Sequence, residues 1–414
     1  VYIFLTGGNE MKDRAVNRAR LRDSIETLGR VGLDDSGFRT RLALDDGDKA
    51  GRDLLVSWLE ASGLEVKVDS IGNIFGILPG EEQGDPVMLG SHIDTVRHAG
   101  RFDGCVGVLG GLEVLRTVAE RGISHRRSLA VAAFTNEEGA RFAPDMMGSL
   151  VLAEEVSVED MYSHVDDDGV SVGDELERIG YRGSDLVRPS AYLEIHVEQG
   201  PYLDMKGVPL GVVDGVQGIV WWQGRYVGQA NHAGTTPMGM RNDSLLAVSH
   251  LHVKMTELAE SMGGCATIGR VSVDPHIINV IPGETGFTLD LRHPDGEKLA
   301  SMKEEAERTM DDLAERFGLE VRYSREADVA PVSFDEDLVS MIQSVADERE
   351  LSSIHLWSGA GHDAQIMSHI VPTAMIFVPS IGGKSHCPQE DSDFDQIADG
   401  VDVLLECAVR LANR

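Results

Sequence analysis

Lysine is scarce in this sequence: 8 residues of 414, against 29 arginines. Acidic side chains number 69 and basic ones 37, leaving a formal net charge of −32. That balance excludes a general nucleic-acid binder, which needs a basic footprint to displace counterions from phosphates. It equally disfavours docking on anionic lipid. Cysteine is rarer still. Cys105, Cys265, Cys387 and Cys407 are widely spaced with no CxxC pair, so they read as buried thiols of a reducing cytoplasm rather than a disulfide framework. Long apolar runs are also missing, and nothing approaches the roughly 18 residues of a membrane span. Val1 to Leu5 is apolar but short and without a basic flank, so it reads as an extension upstream of Met11 rather than a leader.

What is present is a globular composition, 42% hydrophobic, with length for two to three domains that each bury a core. The acidity itself has two readings. One is an arginine-preferring genome with an ordinary acidic surface. The other is adaptation to molar salt, where ions screen the self-repulsion of a highly charged, soluble chain.

Apolar residues recur at helical spacing from Asp48 to Gly63, after an aspartate-rich start that suits a helix N-terminus. Glu65 to Leu78 alternates like strands. Short buried strands follow at Pro86–Ile93, Ser128–Phe134 and Ala191–Val197, with a glycine-rich, closely packed helix at Gly104–Glu120. Alternating helices and buried strands indicate an α/β sheet covered on both faces. The middle changes character. Strand Gly218–Gln229, helix Asp243–Met262, strands Cys265–Asp274 and Glu284–His293, helix Gly296–Phe317 and strand Leu319–Ser324 follow the ferredoxin-like βαββαβ order. The buried style returns with strand Pro372–Val378 and a last helix, Gln396–Leu411. The expected architecture is a discontinuous α/β domain, residues 1–212 and 327–414, interrupted by a smaller α+β domain at 213–326. The acidic run Asp166 to Asp168 reads as a solvated loop.

Sites in open α/β sheets form outside the carboxyl ends of strands. Here those ends carry His92, Asp94, Glu137, Glu138 and His196. Asp103 follows a short loop after His92, and Ser385-His386 follows another strand. Histidines and carboxylates gathered this way suit a borderline metal. Each has a plainer alternative alone: a lone histidine is usually core or surface, and Glu137-Glu138 could simply open a helix. The plain alternative weakens when each buried strand ends in the same manner.

The runs GSHIDTV (90–96), FDG (102–104), NEEGARF (136–142), EIHVEQGPYL (194–203), GQANHAGTTPM (228–238), SGAGHDA (358–364) and SHCP (385–388) occur in this order. Together they closely resemble the hydantoinase/carbamoylase-type amidases, within the wider dinuclear aminoacylase and carboxypeptidase G-like family. The resemblance covers nearly the whole chain from about Leu21 onward. It implies that His92, Asp103 and His196 hold one divalent metal, and that Asp103, Glu138 and His386 hold a second, with Asp103 bridging. Zinc and manganese suit these ligands, as do cobalt and nickel. Glu137 is then the general base, and Asp94 accepts the free N–H of His92.

On the substrate side, the resemblance makes His232 the group that stabilises the oxyanion, often from a partner subunit. Arg292 forks onto the substrate carboxylate. Gln199 and Asn279 hydrogen-bond the ureido and carboxylate groups, and Gly359, Ala360 and Gly361 offer backbone N–H donors. His362 is left as a loop-shaping residue. Two features depart from the family pattern: Arg97-His98 adds positive charge close to the metals, with His98 a possible false ligand, and Trp221-Trp222 stands in strand Val220–Arg225.

The expected activity is cleavage of the carbamoyl C–N bond of an N-carbamoyl-L-amino acid to amino acid, carbon dioxide and ammonia. The substrate is a small anionic ureido compound, and the enzyme a cytoplasmic homodimer joined through an inserted lid domain that closes on substrate. Allantoate or ureidoglycolate hydrolysis is the nearest alternative, and an aminoacylase or peptidase the next. A scaffold that has lost catalysis is the reading from another class, set against an intact ligand and base set.

Overall fold

The computed structural model describes residues 15–414, so Val1 to Leu5 and Met11 lie outside the described residues. The chain divides into two compact units. One runs to Gly215 and resumes as Phe334–Arg414; the other is Val216–Ser333. The junctions thus fall after 215 and 333 rather than after 212 and 326. Strand Leu210–Val216 pairs within the larger sheet, and strand Glu320–Val329 continues past an irregularity at Arg325/Ala327 to a full ten residues in the smaller one.

The larger unit is built on a mixed nine-stranded sheet. From one edge its strands run Glu65–Val68, Ile74–Leu78, Leu129–Phe134, Val87–His92, Ala191–Val197, Thr373–Val378, Leu210–Val216 and Val332–Ser333, with Ser353–Ser358 also paired to Leu210–Val216. The middle four are mutually parallel. Every residue in them is buried, which requires cover on both faces and explains why they read as apolar runs rather than alternations. His92 pairs with Phe134, and His196 with Phe377, so the carboxyl ends of these strands finish at one level. Helix Cys105–Arg121 packs on them closely because of Gly107, where a Cβ would lie 2.5 Å from the Ser91 Cβ and 2.8 Å from the Ile195 carbonyl oxygen. The terminal helix Phe394–Ala412 packs beside it.

The smaller unit is an antiparallel sheet in the order Val271–Asp274, Glu284–His293, Gly218–Val227, Glu320–Val329, with Cys265–Thr267 also paired to the second of these. With helices Ser244–Met262 and Gly296–Phe317 interleaved in the chain, this is the ferredoxin-like βαββαβ arrangement. Strand Glu284–His293 alternates strictly between half-buried and buried residues. Its buried set, with Trp222 and Tyr226, joins the two helices in one core.

Two expectations need correction. Only Cys105 and Cys407 are buried, while Cys265 is exposed on an edge strand and Cys387 is half-buried in a loop; all four are free. Of the acidic run, Asp167 and Asp168 are exposed in a turn as expected, but the Asp166 carboxylate holds Arg141 at 3.0 Å and caps that turn at Asp168 and Val170. His98 is a false ligand, as expected: it joins none of the cation-holding groups among the described residues and its ring stacks on Phe38 at 4.7 Å, while Arg97 beside it is exposed. No helix among the described residues is long and apolar enough to cross a membrane.

Candidate metal centre

The parallel strands deliver two imidazoles to one place. His92 ends its strand, and its Nδ1 donates to the backbone carbonyl of Asp94 at 3.0 Å. His196 Nδ1 donates to the carbonyl of Val197 at 2.8 Å. A carbonyl can only accept, so both rings hold a proton on Nδ1 and turn Nε2 toward Asp103, and in the neutral His92 that Nε2 is bare. Burial pushes His92 down to about 4 and keeps it neutral. Burial acts the same way on His196, but its hydrogen bond to Asp103 and that group's charge outweigh it and hold the ring at about 9.

Asp103 lies between the two ligand sets. Its Oδ1 is 3.2 Å from His196 Nε2 and 3.8 Å from His92 Nε2, whereas its Oδ2 is 3.2 Å from His386 Nε2. Burial would raise this carboxyl, yet its hydrogen bonds to His196 and His386 keep it well below the usual carboxylate range. Glu138 Oε2 stands 3.3 Å from His386 Nε2. The geometry therefore brings together two groups able to hold a cation that share one carboxylate, His92–Asp103–His196 and Asp103–Glu138–His386, and a third, Glu194–His196–His362, that shares His196 with the first. Gly104 makes this approach feasible: it has φ 63°, and a Cβ there would sit 2.4 Å from His92 Nε2.

Glu137 is buried with Oε2 3.4 Å from His92 Nε2. Its carboxyl is raised well above the ordinary range by burial, and further by the charges of Asp363, Glu138, Asp103 and Asp94. Glu138 is raised by burial and by Asp103 and Asp94. Among the described residues, the basic side chains within 4 Å of Asp103, Glu137 and Glu138 are all histidines, the one beside Glu137 being the neutral His92, and Glu138 Oε1 is buried with no hydrogen-bond partner. Crowded carboxylates with an orphaned oxygen are costly unless a cation joins them. The residues present fit a pair of divalent ions.

Other expected roles fall out differently. Asp94 does not take the His92 proton with its carboxylate, which is 3.8 Å away; its backbone carbonyl does. The carboxylate instead accepts the backbone N–H groups of Glu137 and Glu138, each at 3.3 Å, and so pins the turn that carries them. Gln199 donates from Nε2 to Asp103 Oδ2 at 2.8 Å, while its Oε1 is buried with no hydrogen-bond partner. The Ala360 N–H is not a free donor, because the Ser358 hydroxyl two residues back accepts it at 3.1 Å; Gly359 beside it is exposed.

His232, Asn279 and Arg292 belong to the smaller unit. His232 pairs with Val280, and the N–H of Ala233 donates to the Asn279 carbonyl, so these two residues share one end. Nδ1 of His232 accepts from Gly234 and Thr235 at 3.0 and 3.2 Å, which leaves Nε2 outermost. Arg292 is on the half-buried face of its strand, with Nη2 2.8 Å from Asp290 Oδ2. It pairs with Ile219, whereas Glu284, next to the His232 end, pairs with Val227. Arg292 thus stands at the opposite end of that strand, about 27 Å away at the rise of an antiparallel strand.

Several residues behind the ligands had no individual signal. Glu194 accepts from the Ser91 hydroxyl, the Tyr192 hydroxyl and the Ala364 N–H; its place two residues before His196, on the same strand face, was the available clue. His362 is buried with its ring centroid 4.5 Å from that of His196 and its Nε2 2.9 Å from Ser358 Oγ.

The sequence matches peptidase family M20/M25/M40 over residues 88–410. The chain is 38% identical over 407 residues to an N-carbamoyl-L-amino-acid amidohydrolase of Rhizobium meliloti, covering 97% of this chain and 98% of that protein. It is 34% identical to the allantoate amidohydrolase of Escherichia coli (strain K12), covering 95% and 98%. The crystal structure of a hydantoinase/carbamoylase family amidase from Burkholderia multivorans superposes with a TM-score of 0.95 at 39% identity, over 97% of this chain and 99% of that one. Fold, ligand geometry and these likenesses agree: the chain belongs to the peptidase family M20/M25/M40, among its hydantoinase/carbamoylase amidases.

Proposed function

We propose that the protein is a dinuclear metal-dependent amidohydrolase acting on N-carbamoyl-L-amino acids. The observation that carries this is Asp103, whose two oxygens each face a different histidine-containing group at 3.2 Å. His92, Asp103 and His196 would hold one ion, and Asp103, Glu138 and His386 the other. Zinc or manganese suits this donor set, and cobalt or nickel does too. Bound there, the ions supply Lewis-acid polarisation of the ureido carbonyl and a more acidic water.

Glu137 has the properties of a proton carrier. It is buried, its carboxyl is raised, and it neighbours the ligands without being held by them. It takes a proton from the attacking water as the new C–O bond forms, and delivers it to the nitrogen that leaves as the C–N bond breaks. Asp94 fixes the turn that aims it. The products are the amino acid and carbamate, which falls apart to carbon dioxide and ammonia. His232 Nε2 serves the oxyanion, Arg292 the substrate carboxylate, and Asn279 and Gln199 the remaining polar atoms, with Gly359 beside them.

A small ureido acid is far shorter than the strand separating His232 and Asn279 from Arg292. The reading therefore needs two copies of the chain, each contributing one end, and hence a homodimer through Val216–Ser333. The exposure of Met238, Met240, Ile277 and Ile278 near the His232 end supports this. Four free cysteines support a reducing, cytoplasmic location. The acidic surface argues against nucleic-acid or membrane partners.

The test is an assay of manganese-loaded protein on N-carbamoyl-methionine, N-carbamoyl-β-alanine, allantoate and N-acetyl-methionine, following ammonia or free amino acid. Preferential turnover of N-carbamoyl-methionine is expected. Turnover of allantoate alone moves the assignment to purine breakdown, and turnover of the acetyl compound alone refutes a carbamoyl specificity.

A further inference from the structure

The bridging carboxylate and His386 come from loops far apart in sequence, and one side chain joins them. Glu390 lies four residues past His386 and is only 6% exposed. Its Oε1 accepts the backbone N–H of Phe102 at 2.7 Å and that of Asp103 itself at 3.3 Å. Its Oε2 faces the Ser385 hydroxyl at 3.5 Å, and that hydroxyl donates to Asp103 Oδ2 at 2.9 Å. The Glu390 N–H in turn closes its own loop on the Cys387 carbonyl at 3.1 Å. Gly100 leaves the space for it, since a Cβ there would lie 2.2 Å from the Glu390 carboxyl carbon.

A buried carboxylate held this close to Asp103 adds negative charge where carboxylates already crowd, a cost that an apolar residue would avoid. What the carboxylate provides is an acceptor, Oε1, that reaches from the Ser385–His386 loop to two N–H groups of the Asp103 loop. We propose that Glu390 is a positioning residue, which fastens the Asp103 loop to the Ser385–His386 loop and thereby sets the Asp103–Glu138–His386 cation position. His92 and His196 are oriented by their own backbone carbonyl partners, so the other cation position depends on Glu390 only through Asp103. This rests on the two-cation reading above. Groups that orient metal ligands typically influence affinity by about 10- to 100-fold.

The experiment is a calorimetric titration of the chelated, full-length protein with Mn2+, for wild type, Glu390→Ala, Glu390→Gln and Ser385→Ala, alongside melting curves without metal. Wild type takes up two equivalents. Glu390→Ala keeps one equivalent within a few-fold of wild type and weakens the other by about 10- to 100-fold. Glu390→Gln recovers most of that loss, because its amide oxygen still accepts both N–H groups. Wild-type affinity for both equivalents in Glu390→Ala overturns the proposal, as does an equal weakening of both together with a lowered melting temperature. If Glu390→Ala does not fold, Ser385→Ala decides, with selective loss of one equivalent supporting the tether and unchanged affinity refuting it. A wild-type protein that binds fewer than two equivalents overturns the two-cation reading itself, and the tether with it.

Discussion

Alanine at position 104 would place a methyl group 2.4–2.5 Å from Nε2, Cδ2 and Cε1 of His92. Ordinary contact needs about 3.5–4.0 Å, so the ring must retreat by roughly 1 Å or the helix start must shift. Asp103 immediately precedes this residue, leaving the backbone little room to move without displacing a second ligand. Separately, Gly104 has φ 63° and ψ −44°, a conformation that costs a residue with a side chain about 1–3 kcal/mol. The two effects can be told apart with Gly122→Ala. Gly122 caps the other end of the same helix at φ 60°, and a Cβ there meets nothing within 4 Å. Both variants should lower the melting temperature. Only Gly104→Ala should also lower metal uptake and kcat/KM, the latter by about 100-fold, the usual effect of a 1 Å misplacement of reacting groups. Metal stoichiometry by elemental analysis and hydrolysis of N-carbamoyl-methionine provide the readouts. If Gly104→Ala matches Gly122→Ala in both, His92 is not held in a ligand position by this contact.

Glu137→Gln should keep two metal equivalents and lose about 10²- to 10⁴-fold in kcat, the range for a positioned proton-transfer group; near-full activity removes Glu137 from the reaction. Arg292→Lys should raise KM at least tenfold with little change in kcat, because an ammonium cannot reproduce the fork onto a carboxylate, and an unchanged KM would place the carboxylate elsewhere. In the metal-free protein, burial raises the carboxyls of Asp94 and Glu390 to about 7 and that of Asp69 to about 6. A carboxyl raised on folding contributes stability that is full below the unfolded value near 4 and is lost as pH rises through the folded value. The chelated protein should therefore melt at a lower temperature at about pH 8 than at about pH 5.5, and added metal should flatten that slope. A melting temperature that rises with pH in the chelated protein would contradict the burial of these acids. Finally, a net charge of −32 should make molar KCl stabilising if the surface is a salt adaptation; equal melting in low and high salt would leave the ordinary acidic-surface reading.

The chain's own order determined a good deal. Residue types at strand ends gathered the candidates, since histidine and carboxylate repeatedly follow buried apolar runs; the motif resemblance implied which of them are ligands, and a switch to alternating patterns marked the ferredoxin-like unit. Local periodicity reports which face of an element is buried, and a ligand motif travels with its strand, so both are visible in a linear string. Which atom meets which is not. That His92 donates its Nδ1–H to the Asp94 carbonyl rather than to its carboxylate is decided by the local turn. That the Asp94 carboxylate caps the Glu137–Glu138 turn and that Gln199 rests on Asp103 depend on ångström-scale approaches between separate segments. Glu390 holds a residue 287 positions away, and no periodicity encodes that. The distance from His232 to Arg292 is likewise a property of strand register: 60 residues of chain fold into one small sheet, and only the pairing of Arg292 with Ile219 and of Glu284 with Val227 puts the two at opposite ends.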